Sequence, residues 1–200
     1  MTVSRRRRMA VTVLTIGALA VPAVANAAPA PAPAAQEQNA AASISWTLVR
    51  AQNPTQDQRE AYALITSAMN AAVARYNDLS DLGKTITVHY NPSVPTADGN
   101  INGTIRFGNR SYMTERTALH EIAHTIGVGQ SGGWNSLSSG GTWRGAQATA
   151  LVRQYDGGSA SISTGGGHFW PYGLNYDNEF SQTNADRHVH VVAAMVADGM

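Results

Sequence analysis

From Ser43 onward the spacing of apolar residues changes period several times, and each change marks an element. Ile44-Ser45-Trp46-Thr47-Leu48-Val49 alternates and is partly β-branched, which predicts a strand. After the break at Asn53-Pro54, apolar side chains at Tyr62, Ile65, Met69, Val73 and Tyr76 form a helical stripe within Thr55 to Tyr76. Thr85 to Tyr90 alternates again. The stretch 91–102, with Pro92, Pro95, Gly99 and Asn100, predicts a loop, and Gly103 to Gly108 a short strand bounded by glycines. Thr114 is a good N-cap with Glu115 in the first turn, so a helix is expected to run to about Ile126 and stop at Gly127. The Gly/Ser-rich stretch 129–141 predicts a long loop. A helical pattern follows from Gln147 to Tyr155, through Ala148, Leu151 and Val152. Residues 157–167 read as small and flexible, and 169–180 as aromatic and irregular. A last helix is expected over 185–197, with Val189, Val192, Ala193 and Val196 on its apolar face. This order predicts an α+β domain with a small mixed sheet and several helices, not a doubly wound sheet.

The first 42 residues have no such period. Arg5 to Arg8 precede an uncharged apolar run from Met9 to Val24, and Ala25-Asn26-Ala27 supplies small residues at an A-x-A-like site. That layout predicts a secretory signal peptide over 1–27, because the apolar run is shorter than the roughly 20 residues a membrane span needs. Residues 28–42, APAPAPAAQEQNAAA, are expected to be an extended spacer. A single domain over 43–200 is what remains. The expected location is extracellular, with no stable membrane anchor once the leader is removed.

Removing the leader also changes the charge. The full chain has 14 Lys and Arg against 13 Asp and Glu, but four arginines lie in the leader and all the acids lie beyond it. The remaining chain is therefore net −3, with no basic cluster, and nucleic acid is not an expected partner. Cysteine is absent. A domain of this size can be stable without disulfides, and any metal it holds must be bound by His, carboxylate, amide or water.

The chemistry concentrates in His120-Glu121-Ile122-Ala123-His124. Four residues on a helix bring the two imidazoles to one face, about 40° apart and one turn up, so both can reach one ion. Glu121 leans beside that ion, placed to accept a proton from a water molecule the metal activates. A catalytic zinc normally takes three protein ligands and keeps one position open.

On these residues the chain resembles the zincin metallopeptidases, specifically over Thr117 to Gln130. His120-Glu121-x-x-His124-x-x-Gly127 is similar to the start of the metzincin pattern, in which the glycine turns the chain toward a third histidine. That ligand would fall at 130, where this chain has Gln130, a poor zinc ligand. The run His168-Phe169-Trp170-Pro171-Tyr172-Gly173-Leu174-Asn175-Tyr176 resembles a motif of secreted microbial zincin-like proteins. The resemblance implies a zincin-like fold with an active-site helix, Zn2+ as cofactor, a protein or peptide substrate, and Glu121 as general base. It also implies a sheet edge for an extended peptide, for which Gly103 to Gly108 is the candidate.

The third ligand must come from elsewhere. His168 follows three glycines that could bring a loop onto the helix, and Asp156, Asp177, Glu179 and His188 are alternatives. His89 reads as a strand histidine satisfied locally, His190 as a surface or packing residue, and Met195 as a core residue on an apolar helix face. Tyr172 and Tyr176 are candidate donors to a developing oxyanion, set against a simple aromatic cluster. Besides a secreted peptidase, the motif is compatible with a zinc amide hydrolase acting on cell wall. A non-catalytic zincin-like binding module is the third possibility, which an intact Glu121 disfavours.

Overall fold

A computed structural model describes residues 42–200, so the expected signal peptide and most of the spacer lie outside the described residues. The chain begins with β1 (Ile44–Leu48), α1 (Gln56–Leu79) and β2 (Lys84–Tyr90). The two strands pair in parallel, with Trp46 opposite Ile86, and α1 forms the crossover between them. Thr55 caps α1 through a reciprocal box with Gln58. Every residue of the expected stripe on α1 is buried, with Ala61, Ala68 and Ala72 filling the gaps between. At about 1.5–3 kcal/mol for each large apolar side chain removed from water, this face alone holds α1 on the sheet.

The sheet continues with β3 (Ala97–Asn100) and β4 (Thr104–Phe107), in the spatial order β1-β2-β4-β3. β4 pairs in parallel with β2, whereas β3 runs antiparallel to β4 and forms the edge. Two expectations change here. The stretch 91–102 is not all loop, because residues 97–100 form β3. The edge is therefore β3, and the strand within Gly103–Gly108 lies inside the sheet. Ala-Asp-Gly-Asn has no alternating pattern, so only pairing with β4 makes it a strand.

Beyond the sheet come α2 (Glu115–Ile126), α3 (Gly132–Leu137), α4 (Ala146–Asp156), the hairpin β5 (Ser163–Gly165) and β6 (His168–Trp170), and α5 (Gln182–Ala197). α2 buries Ala118, Leu119, Ile122 and Ala123 and packs on both α1 and β3. The expected loop 129–141 contains α3, capped by Ser131, whose hydroxyl accepts from Trp134 N–H, and anchored by the buried Trp134. The stretch around 165–168 is a tight hairpin and not a flexible loop: Gly166 and Gly167 both have positive φ, as a two-residue type I′ turn requires. α4 has no cap of its own at Gly145. Asp198, just past α5, accepts from the N–H groups of Gln147 and Ala148 instead, tying the two helices together. Met195 is wholly buried in the core, as expected of its helix face.

The described residues are thus a mixed α/β domain of five helices and a small mixed sheet. Among them no helix is long and apolar enough to cross a membrane.

Candidate metal centre

α2 carries the pair. Thr114 caps it by accepting from Thr117 N–H, and Gly127 ends it at φ 147°, a conformation open to glycine alone. That reversal returns the Val128 carbonyl to His124, whose Nδ1–H donates to it at 2.9 Å. His120 Nδ1–H donates to the Gly173 carbonyl at 2.8 Å. A carbonyl can only accept, so both rings carry their proton on Nδ1 and turn an unprotonated Nε2 toward the cleft. The two Nε2 atoms stand 3.2 Å apart. Two lone pairs at that separation repel unless a cation or proton lies between them.

Gly129 has φ 77°, and a Cβ there would stand 2.5 Å from the Gly167 carbonyl oxygen. Because Gly129 has no Cβ, the hairpin turn can close onto the end of α2. His168, the first residue of β6, is thereby delivered to the pair. Its ring stacks on His120 at 5.1 Å between centroids and meets His124 edge-on at 5.2 Å. One ring nitrogen from each of His120, His124 and His168 lies within 4.8 Å of the others, and this group could hold a metal ion.

The spacing of the His120–His124 pair fits such an ion, with the His168 nitrogen within 4.8 Å of both. Two nitrogens on a tetrahedral zinc, with bonds of about 2.0–2.1 Å, stand roughly 3.3–3.4 Å apart, close to the Nε2 separation here. Burial lowers the basicity of both His120 and His124, with His124 adding to the effect on His120 and His168 to that on His124. The rings therefore stay neutral, as ligands must.

Glu121 is buried beside the trio, on the floor of an open cleft of about 580 Å³. Its carboxyl is pushed up to about 8, first by burial and then by the nearby Asp98. Arg116 and the Gly99 N–H oppose the rise. A divalent cation next to it would favour the carboxylate.

Three consecutive carbonyls brace the site from the segment after β6. Tyr172 C=O accepts from His188 Nδ1–H at 2.7 Å, Gly173 C=O from His120, and Leu174 C=O from Arg116 Nη1–H at 2.8 Å. Tyr172 and Leu174 have φ of 66° and 56°. Such left-handed backbone costs roughly 1–2 kcal/mol per non-glycine residue, and the donors from α2 and α5 hold it in place.

Of the alternative ligands, none faces the pair as His168 does. His188 is wholly buried behind α2, where its Nε2 accepts from Tyr76 O–H at 3.0 Å. Asp156 accepts from Tyr172 O–H at 2.5 Å. Glu179 accepts from Asn175 N–H at 2.7 Å, and Asp177 from Arg116 Nε–H at 2.6 Å. The two tyrosines separate. Tyr172 points its hydroxyl at Asp156 and Arg187, away from the cleft, because left-handed backbone at 172 turns the side chain toward α4 and α5. Tyr176 lines the cleft and is 63% exposed.

The sequence reading missed Arg116, Asp98 and Tyr112 among the cleft residues. Arg116 was within reach, since it precedes His120 by one helical turn and shares its face. Gln130 has a role of its own. Its amide donates to Gly99 C=O at 2.8 Å and accepts from Ile101 N–H at 2.9 Å, so it fastens β3 at the rim.

His188 makes the fold acid-sensitive. Burial depresses it to about 4, against 6.5 for an ordinary histidine, although the carbonyls of Tyr172 and Leu119 partly offset this. The unfolded chain takes up the proton near pH 6.5 and the folded one only near 4. Stability is therefore fully present above about 6.5 and lost as pH falls toward 4, by about 3 kcal/mol from this group. Denaturant unfolding in chelator should show that slope together with the share that buried His120 and His124 add in the same direction, and His188→Asn should reduce it by His188's share whatever it does to stability at neutral pH. An unchanged slope would exclude His188 as its source.

No family model, curated protein or solved structure matches this chain.

Proposed function

We propose that this protein is a secreted zinc-dependent metallopeptidase of zincin-like fold that hydrolyses peptide bonds. The observation that supports it most directly is the convergence of three histidine nitrogens beside a buried glutamate in an open cleft. A structural zinc site needs no such carboxylate and leaves no position open.

His120, His124 and His168 would hold the ion, with Gly173 and Val128 fixing the tautomers of the first two. When bound, zinc acts as a Lewis acid on the scissile carbonyl and makes water nucleophilic near neutral pH. Glu121 would accept the proton of the attacking water and return it to the leaving nitrogen. Of the expected pair, Tyr176 lines the cleft and would be the donor to the developing oxyanion, whereas the Tyr172 hydroxyl is engaged by Asp156 and Arg187. β3 has β4 on one side only, and because Gln130 already occupies the Gly99 carbonyl, an extended substrate would have to pair with its outer edge at Ala97.

The test is metal content and hydrolysis. Purified protein is expected to hold one zinc per chain and to digest casein, with activity lost to chelator and restored by zinc. Protein without stoichiometric zinc would overturn the reading. Cleavage of purified peptidoglycan but not casein would move the substrate to a cell-wall amide, and zinc binding without either activity would make this a binding module.

A further inference from the structure

Arg116 is one of the few charged side chains buried in this domain, with 7% of its side chain exposed. Its guanidinium is fixed at two of its three nitrogens. Nε–H donates to Asp177 at 2.6 Å and Nη1–H to the Leu174 carbonyl at 2.8 Å. Nη2 has no hydrogen-bond partner among the described residues, yet it is not among their orphaned buried atoms, so it reaches solvent. Arg116 lines the cleft together with His120 and Glu121, and this cleft is the solvent-filled space we assign to Nη2.

Holding a cation this rigidly costs desolvation, and a brace for the 173–177 segment needs only the two bonds already made. The third nitrogen is a donor pre-aimed at the cleft, with no side-chain entropy left to lose on binding. Arginine at such a place selects an oxyanion, and in a peptide that is a carboxylate.

Distance sets where the carboxylate lies. Arg116 and His120 are four residues apart on α2, about 6 Å along the helix axis. An extended chain advances roughly 3.3–3.6 Å per residue. We propose that Nη2 of Arg116 binds a substrate carboxylate one or two residues from the scissile bond. That makes the preferred substrate a peptide carrying either its C-terminal carboxylate or an acidic side chain there. The proposal rests on the peptidase reading of the metal centre.

Binding, not turnover, tests it. The non-cleaving Glu121→Gln protein, loaded with zinc, is titrated calorimetrically with four probes: acetyl-tetraalanine as free acid and as amide, and the amide with its third alanine replaced by Glu or by Gln. At least one charged member is expected to bind about 10- to 100-fold more tightly than its neutral counterpart, the range for one hydrogen bond to a charged group. The free-acid pair and the Glu/Gln pair separate the two sources of carboxylate. Adding Arg116→Gln should abolish the preference and Arg116→Lys should retain part of it. Because each preference is a ratio within one protein, a general loss of affinity from a loosened 173–177 segment does not mimic the effect. Equal binding of charged and neutral members, or none by either, overturns the proposal, as does a preference that survives Arg116→Gln. Wild-type protein that cleaves no peptide while the preference persists would instead overturn the peptidase reading and leave the carboxylate site standing.

Discussion

Glu121→Gln is expected to lower peptide hydrolysis about a thousandfold while leaving zinc affinity within a few-fold of wild type. The two halves of this expectation have separate causes. The ligand nitrogens come from His120, His124 and His168, and Glu121 is not among that trio. Glutamine keeps the volume and most of the contacts of a side chain that is 6% exposed, so the helix should not repack. It cannot accept and return a proton, and a positioned general base is worth about 10²–10⁴-fold. Stability should not fall, since the substitution removes a carboxyl that burial and Asp98 make costly to ionise. The measurement is kcat and KM on one peptide, with zinc affinity by competition against a chromophoric chelator. A variant that loses zinc along with activity would place Glu121 among the ligands. One that keeps both would remove it from the chemistry.

His120, Glu121 and His124 were legible in the sequence because a helix converts spacing into direction, so four residues suffice to place two rings on one face. His168 was only one candidate among several. What selects it is the approach of Gly129 to Gly167, a contact between backbones 38 positions apart that no local pattern encodes. Tyr172 and Tyr176 looked equivalent in sequence and part company across a segment with two left-handed residues, Tyr172 and Leu174. The long stripe of α1 was read to within a few residues because large apolar side chains carry the signal. β3 and α3 were not, because Ala-Asp-Gly-Asn and Gly-Gly-Trp-Asn-Ser-Leu are fixed by partners: β4 and α2 for the strand, a Ser131 cap and a buried Trp134 for the helix. Gln130 carries a related lesson. In sequence it marks a departure from the metzincin pattern, and in the fold its amide holds the backbone of β3 beside the centre, work an imidazole ligand at that position could not do.

The same long-range placement makes His168→Ala the sharper test of the centre. Zinc affinity is expected to fall by more than about 100-fold, since even groups that merely orient a ligand are worth about 10- to 100-fold. The fold should be nearly untouched. His168 is only partly buried, makes no side-chain hydrogen bond among the described residues, and follows a turn whose shape is set by Gly166 and Gly167. Unfolding measured in chelator should therefore shift by less than about 1 kcal/mol. Asp177→Asn is the control for the carboxylate alternative. Asp177 is held by Arg116 and its side chain is 85% exposed, so losing its charge should leave zinc affinity close to wild type. The reverse pattern, normal affinity in His168→Ala and weak affinity in Asp177→Asn, would move the third ligand to Asp177 and require the 174–177 segment to close over the ion. With His168 as ligand, the hairpin that carries it becomes the element coupling metal to fold. Zinc should then raise the unfolding midpoint of wild type by the amount its concentration and affinity dictate, and in His168→Ala that rise should largely disappear.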